Sequence, residues 1–163
     1  MTIRETALGA DHPDVAADVA ALAAILDGQG KYGESEPLYR RALAIFDQRF
    51  GPEHYEIAVN LNNLGAVYQA TGRKTEADGL YRRALAIKEK LLGPGHPDIA
   101  MTVNNLAVLL RVLRRPGEAE ALYRRALSIF EQTLPPGHPK LATCRANYAR
   151  VLRELPGRRS PDR

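Results

Sequence analysis

The sequence predicts an all-α protein, a right-handed superhelical solenoid of antiparallel helix pairs, and three observations lead there. The first is an internal repeat. LYRRALAI at 38–45 returns unchanged at 80–87 and as LYRRALSI at 122–129, while GADHPDVA (9–16), GPEHYEIA (51–58), GPGHPDIA (93–100) and PPGHPKLA (135–142) keep the same 42-residue step. The second is periodicity: each step carries two apolar stripes at the i, i+3/i+4, i+7 spacing of an amphipathic helix. The third is composition, rich in Ala, Leu and Arg, with 6% aromatic residues, no Trp and no long β-branched alternation. One helix pair of this size cannot bury its stripe alone, so neighbouring pairs must stack.

The elements follow in chain order. TIRETALG (2–9) aligns with AIKEKLLG (86–93), so the chain opens inside a partial helix of the second type. A first pair is expected at about 13–50, with stripes Val15, Val19, Leu22, Leu26 and Leu38, Ala42, Ile45. The second, at 55–92, has Ile57, Leu61, Leu64, Tyr68 and then Leu80, Ala84, Ile87, Leu91. The third, at 97–134, has Ile99, Val103, Leu106, Leu110 and then Leu122, Ala126, Ile129. Gly30 and Gly72 suit the helix ends between the two stripes. Ala23, Gly65, Ala107, Ala149 and Ala42, Ala84, Ala126 are small where helices must approach closely. A last helix at about 140–154 places Arg145 in the register of Val19, Leu61 and Val103, which suits a capping helix with nothing stacked outside it. The repeat thus spans 1–155, and the tail PGRRSPDR (156–163) reads as disordered. The N-terminal edge has no comparable cap. It reads as a piece of a longer array, or as an edge that pairs with another chain.

The residues most suggestive of chemistry have simpler readings. His12, His54, His96 and His138 stand one per repeat, three of them before Pro, with Asp14, Glu56 and Asp98 two residues after the first three. Pro at the first helical position and an acid in the first turn mark a helix start, so each His is placed at or next to an N-cap. Zinc needs donors converging at about 2.1 Å, whereas repeats stack with helices roughly 8–10 Å apart; no metal is expected. The pairs Arg40-Arg41, Arg82-Arg83 and Arg124-Arg125 follow Glu36, Asp78 and Glu120 by four residues. That orientation stabilises a helix by about 0.2–0.5 kcal/mol per pair, and no aromatic residues are interleaved for base stacking. The stripe therefore reads as a solvated face, with no nucleic-acid partner. Cys144, the one cysteine, has no activating His. No phosphate loop, GxSxG, HExxH or CxxC is present, so neither an enzyme nor a cofactor is expected. Net charge is +4. The lone cysteine, together with the absence of a signal-peptide pattern or an 18-residue apolar run, points to a cytoplasmic protein with no membrane partner.

The small residue after Leu64 and Leu106, the turn glycine, Glu76-Ala77 and Glu118-Ala119, and Tyr81 with Ala84 resemble tetratricopeptide repeats. The 42-residue period with NNLA and LGxxHP is similar to the longer repeat of kinesin light chains and their bacterial relatives. The resemblance covers about residues 1–155. Three departures stand out: Ala20-Ala21 in place of the Asn pair, Ser35 for the Ala after the turn, and Arg114 for the turn Gly.

Asn60, Asn62, Asn63, Asn104, Asn105 and Asn147 sit mid-helix, where Asn is a poor former. Two repayments remain open: amides bonding across to a neighbouring helix, or amides gripping a ligand. The resemblance implies the second, with the first helix of each pair lining a concave groove and Asn63, Asn105 and Asn147 bonding a peptide backbone. Helical geometry extends that wall through Val59, Asn62, Ala66 and Gln69, then Met101, Asn104, Val108 and Arg111, then Thr143, Arg150 and Arg153. It opens on small residues, Ala17, Ala20, Ala21 and Ala24, and becomes basic toward its C-terminal end. The expected function is a non-catalytic protein–protein interaction scaffold that binds a protein or peptide segment, acidic in character, with Arg111 and Arg150 as anchors. The alternative is a structural or self-assembly module, a fragment of a longer repeat array in a larger regulatory protein, self-associating through the open N-terminal edge.

Overall fold

In the computed structural model the described residues are 3–155. The expected tail at 156–163 and the first residue of the opening helix lie outside them. The described residues form eight helices and no strand: α1 (Ile3–Leu8), α2 (Pro13–Gly28), α3 (Tyr32–Phe50), α4 (Tyr55–Ala70), α5 (Lys74–Leu92), α6 (Pro97–Val112), α7 (Pro116–Thr133) and α8 (Pro139–Glu154). Two compact units divide the chain inside α5, Met1–Ile87 and Lys88–Arg163.

The histidines start the helices. His12, His54, His96 and His138 are the N-caps of α2, α4, α6 and α8, each with extended backbone. Each Nδ1 accepts from the main-chain N–H two residues on, of Asp14, Glu56, Asp98 and Lys140, at 3.2–3.3 Å. An imidazole nitrogen thus satisfies one of the orphan donors at a helix start. Helix ends follow the same logic. The N–H of Lys31, Arg73 and Arg115 returns to the carbonyl five residues back, of Leu26, Tyr68 and Leu110, which requires a left-handed residue just before it. Gly30 (φ 73°) and Gly72 (φ 86°) adopt that conformation, and so does Arg114 at φ 61°. An L side chain there costs about 1 kcal/mol, so Arg114→Gly is expected to raise unfolding free energy by about that amount in urea titrations.

In the first unit, Val15, Ala16 and Val19 of α2 pack with Ala42, Ile45 and Phe46 of α3, Ile57, Ala58 and Leu61 of α4, and Ala84 and Ile87 of α5. The second unit has its own core, in which Ile99, Val103, Leu106 and Leu110 of α6 and Tyr123, Ala126, Ile129 and Phe130 of α7 are buried.

Several stripe positions differ from expectation. The second-type helices bury Tyr39, Tyr81 and Tyr123, each at most 1% exposed, while Leu38, Leu80 and Leu122 are only half-buried. In α5 the buried line steps 81, 84, 88 as the 3.6-residue turn dictates, leaving Leu91 47% exposed. Leu22 is 48% exposed although Leu64 and Leu106, in the same register, are buried; among the described residues only the six-residue α1 precedes α2. Ala149 is exposed for the matching reason at the other end, since no described helix follows α8.

Lys88 occupies the register of Phe46 and Phe130 and is 5% exposed. Its Nζ donates to Thr102 Oγ1 at 3.1 Å and to the Asp98 carbonyl at 3.4 Å. Burial holds its pKa below the ordinary lysine range, and the nearby Asp98 only partly opposes this. Between the folded and the higher unfolded pKa the native chain binds fewer protons than the unfolded one, so stability rises with pH across that window. Lys88→Met is expected to stabilise the protein at pH 7 by about 1 kcal/mol or more and to lose that alkaline rise. Urea titrations from pH 7 to 10 check both.

Candidate functional site

The polar face predicted on the first-type helices is built within each unit. In the first unit, Asn62, Asn63 and Gln69 of α4 are half-buried, as are Val59 and Ala66 between them. Asn63 hydrogen-bonds the Tyr39 hydroxyl of α3, an amide reaching across to a neighbouring helix. Asn62 Nδ2 lies 3.5 Å from Asn63 Oδ1. Asn60 behaves differently: it is buried, its Nδ2 donates back to the Glu56 carbonyl one turn earlier, and its Oδ1 has no partner. It bonds its own helix rather than another. Gln69 Oε1 accepts from the Tyr81 hydroxyl of α5 at 3.3 Å.

In the second unit, Met101, Asn104, Asn105 and Arg111 of α6 are half-buried, Asn147 of α8 likewise, and Arg150 is exposed. Asn104 keeps its Oδ1 buried without a partner. Arg111 Nη1 donates to Glu154 Oε1, the last residue of α8, at 3.0 Å. Buried beneath, the Tyr123 hydroxyl of α7 also lacks a partner. Its pKa is pushed up to about 12, chiefly by burial, with Arg111 and Arg150 opposing and Glu154 adding to the shift. Sequence reasoning named Arg111 and Arg150 but missed Tyr123 and Glu154. The register signal for the tyrosine was present, since Tyr39, Tyr81 and Tyr123 repeat in step.

The paired arginines hold their helical acids: Arg40 Nε to Glu36 at 3.0 Å, Arg82 Nε to Asp78 at 2.9 Å and Arg124 Nη2 to Glu120 at 2.6 Å. Glu36 also accepts from Arg73 at 2.8 Å and from the Tyr68 hydroxyl at 3.2 Å. Burial pushes its carboxyl up, but these donors hold it below the ordinary range. The Arg73 guanidinium lies 3.7 Å from the Tyr68 ring centre, and Tyr68 also bonds Arg40. Cys144 is fully buried, and burial pushes its thiol up to about 11, which suppresses the thiolate that reactivity needs. Among the described residues no helix is long and apolar enough to cross a membrane.

Comparison with known proteins adds the following. The tetratricopeptide repeat model matches residues 16–90, 56–132 and 98–159. No curated protein matches. Among solved structures, BtubC (BKLC) from P. vanneervenii is 27% identical, with a TM-score of 0.78, over 87% of this chain; the chain spans 57% of that protein's length. TPR-like repeats from Podosopora anserina, described as kinesin light chain, are 26% identical with a TM-score of 0.74, covering 93% of this chain and 72% of that one. The Yersinia enterocolitica chaperone SycD, in complex with a peptide of the translocator YopD, is similar in fold, with a TM-score of 0.66 at 19% identity, over 87% of this chain and 96% of that one.

Proposed function

Since the chain belongs to the tetratricopeptide repeat family, whose stacked repeats present extended binding surfaces, we propose that it is a non-catalytic, cytoplasmic scaffold that binds a protein or peptide segment, acidic in character. The observation that carries the reading is the set of amides and arginines on the first-type helices, half-buried at Asn62, Asn63 and Gln69 in one unit and at Asn104, Asn105, Arg111 and Asn147 in the other, where Arg150 is exposed. An amide offers a donor and an acceptor together, so it can grip an extended main chain whatever its sequence. Arginine adds bidentate recognition of carboxylates. The fold of SycD, solved with a peptide of YopD, supports the reading at the level of architecture alone.

The test is capture of partners from the native cytosol with wild type and with Asn63→Ala/Asn105→Ala. Partners that wild type retains are expected to fall by about fivefold or more in the variant, with circular dichroism unchanged. Retention of every partner by a folded variant would overturn the reading.

A second reading, self-association through the N-terminal edge, is favoured by Leu8, Leu22 and Ile25, which are 45%, 48% and 59% exposed on α1 and α2. Light scattering separates the two. Growth of mass with concentration supports self-association, whereas a constant monomer mass until ligand is added supports the peptide scaffold.

A further inference from the structure

Acid and arginine meet between successive second-type helices. In the second unit Arg125 of α7 pairs with Glu89 of α5 at 2.6 Å. In the first unit Asp47 of α3 and Arg83 of α5 hold the same registers, and both line a cavity of about 200 Å³ with Leu43 and Leu61. Glu131 of α7 is the next acid of this series. No described helix follows α8, and Glu131 is held instead by Arg145 of α8 at 2.8 Å. Arg145 itself departs from its register, where Val19, Leu61 and Val103 are buried. Val19 and Leu61 share one core with Ala42 of α3 and Ala84 of α5. Ala142 shows the same exchange, exposed on α8 although Ala16, Ala58 and Ala100 are fully buried. The groove that remains between α7 and α8 measures about 460 Å³ and is lined by Leu127, Ser128 and Glu131 of α7 and Tyr148 of α8. Leu127 is the counterpart of Leu43, which packs against the core that includes Ala84 and Ile87 of α5. This groove is thus the place that a second-type helix fills elsewhere in the repeat.

We propose that the α7–α8 groove docks an arginine-bearing amphipathic helix of a partner protein, one with the Leu-Tyr-x-x-Ala pattern of this chain's own second-type helices. On docking, the partner's arginine takes Glu131 as Arg125 takes Glu89, and Arg145 gives up that carboxylate. Two observations fix this occupant. The other repeats show what covers the face wherever a helix follows, and Glu131 supplies the charge that the incoming arginine meets. Burial of Leu127, Ala142 and Tyr148 drives the association, while the ion pair sets register and orientation. Arg145 keeps the open face polar, as a terminal repeat requires. None of these residues belongs to the amide- and arginine-bearing face of the proposed function, so the site is additional to it.

The probe is a fluorescein-labelled peptide of the α7 sequence, PGEAEALYRRALSIFEQT, titrated against the whole chain and followed by anisotropy and circular dichroism. Binding is expected to add helical signal, because a free peptide of this length is a marginal helix. Arg145→Leu, which restores the apolar residue of the register, should tighten binding about tenfold. Glu131→Gln in the protein and Arg125→Gln in the peptide should each weaken it about fivefold. The two changes together should cost little more than either alone, since they remove one contact. Asn63→Ala/Asn105→Ala should leave affinity within about twofold. Failure of Arg145→Leu to bind the peptide, while circular dichroism shows it folded, overturns the proposal. So does binding that Glu131→Gln leaves unchanged. Loss of binding in Asn63→Ala/Asn105→Ala alone puts the peptide on the amide face, which overturns the docking site and supports the scaffold reading. Mass that grows with protein concentration in light scattering, and stops growing in Glu131→Gln, makes a second copy the occupant and overturns the assignment to a separate partner.

Discussion

Replacing Tyr81 by alanine is expected to lower unfolding free energy by about 3–5 kcal/mol, the range for losing a buried aromatic ring. The ring is 1% exposed and lies so close to α4 that a Cβ built on Gly65 would sit 2.9 Å from Tyr81 Cε1. Its hydroxyl adds the bond to Gln69. Two helices held at that separation by the ring cannot close over the void, so the cavity cost adds to the lost burial. Against a typical total of about 5–15 kcal/mol, a loss of this size removes much of the unit's stability. The same contact predicts a coupling. Gly65→Leu alone costs about 1–3 kcal/mol by overpacking. In the Tyr81→Ala background the leucine enters the vacated space, and the double variant should be more stable than the sum of the two losses implies. Urea titrations of all four proteins measure it; strict additivity would mean that Gly65 and Tyr81 do not share this contact.

The second large effect concerns binding. Arg111→Glu/Arg150→Glu is expected to weaken an acidic peptide by about tenfold or more, because reversing both charges replaces attraction with repulsion beside Glu154. A neutral peptide of equal length should change by no more than about twofold, and the wild-type preference for the acidic peptide should shrink as salt rises. Anisotropy titrations at two salt concentrations are the measurement. Unchanged affinity for the acidic peptide would remove the arginines from the site.

Much of this architecture was legible because a repeat states which positions are equivalent. The step between histidines located four helix starts, and the capping bonds of His12, His54, His96 and His138 bear that out. The acids placed before Arg40, Arg82 and Arg124 likewise form the helical ion pairs that their spacing predicts. What equivalence does not state is what each copy has beside it. Leu22 shares its register with Leu64 and Leu106 yet stands exposed, because burial depends on a neighbouring helix that the pattern of α2 does not contain. Lys88 in a phenylalanine register shows the converse, a charged residue kept inside because Thr102 and the Asp98 carbonyl supply hydrogen bonds. At the candidate site, helical geometry put Asn63, Asn105 and Arg111 on half-buried faces. The partner of Arg111 lies at the far end of another helix, and the vacant hydroxyl of Tyr123 comes from a third. Neither contact has a fixed spacing along the chain, so neither could be read from periodicity.

The claim that the amide- and arginine-bearing faces of α4, α6 and α8 are the working surface is most directly tested by nuclear magnetic resonance mapping with an acidic peptide. On titration, the side-chain amides of Asn105 and Asn147 and the guanidinium signals of Arg111 and Arg150, all in the second unit, are expected to shift together and saturate at one concentration, and the side-chain amide of Asn63 to shift within the first. Shifts confined to Leu8, Leu22 and Ile25, or to the outer arginines Arg82 and Arg124, would contradict it.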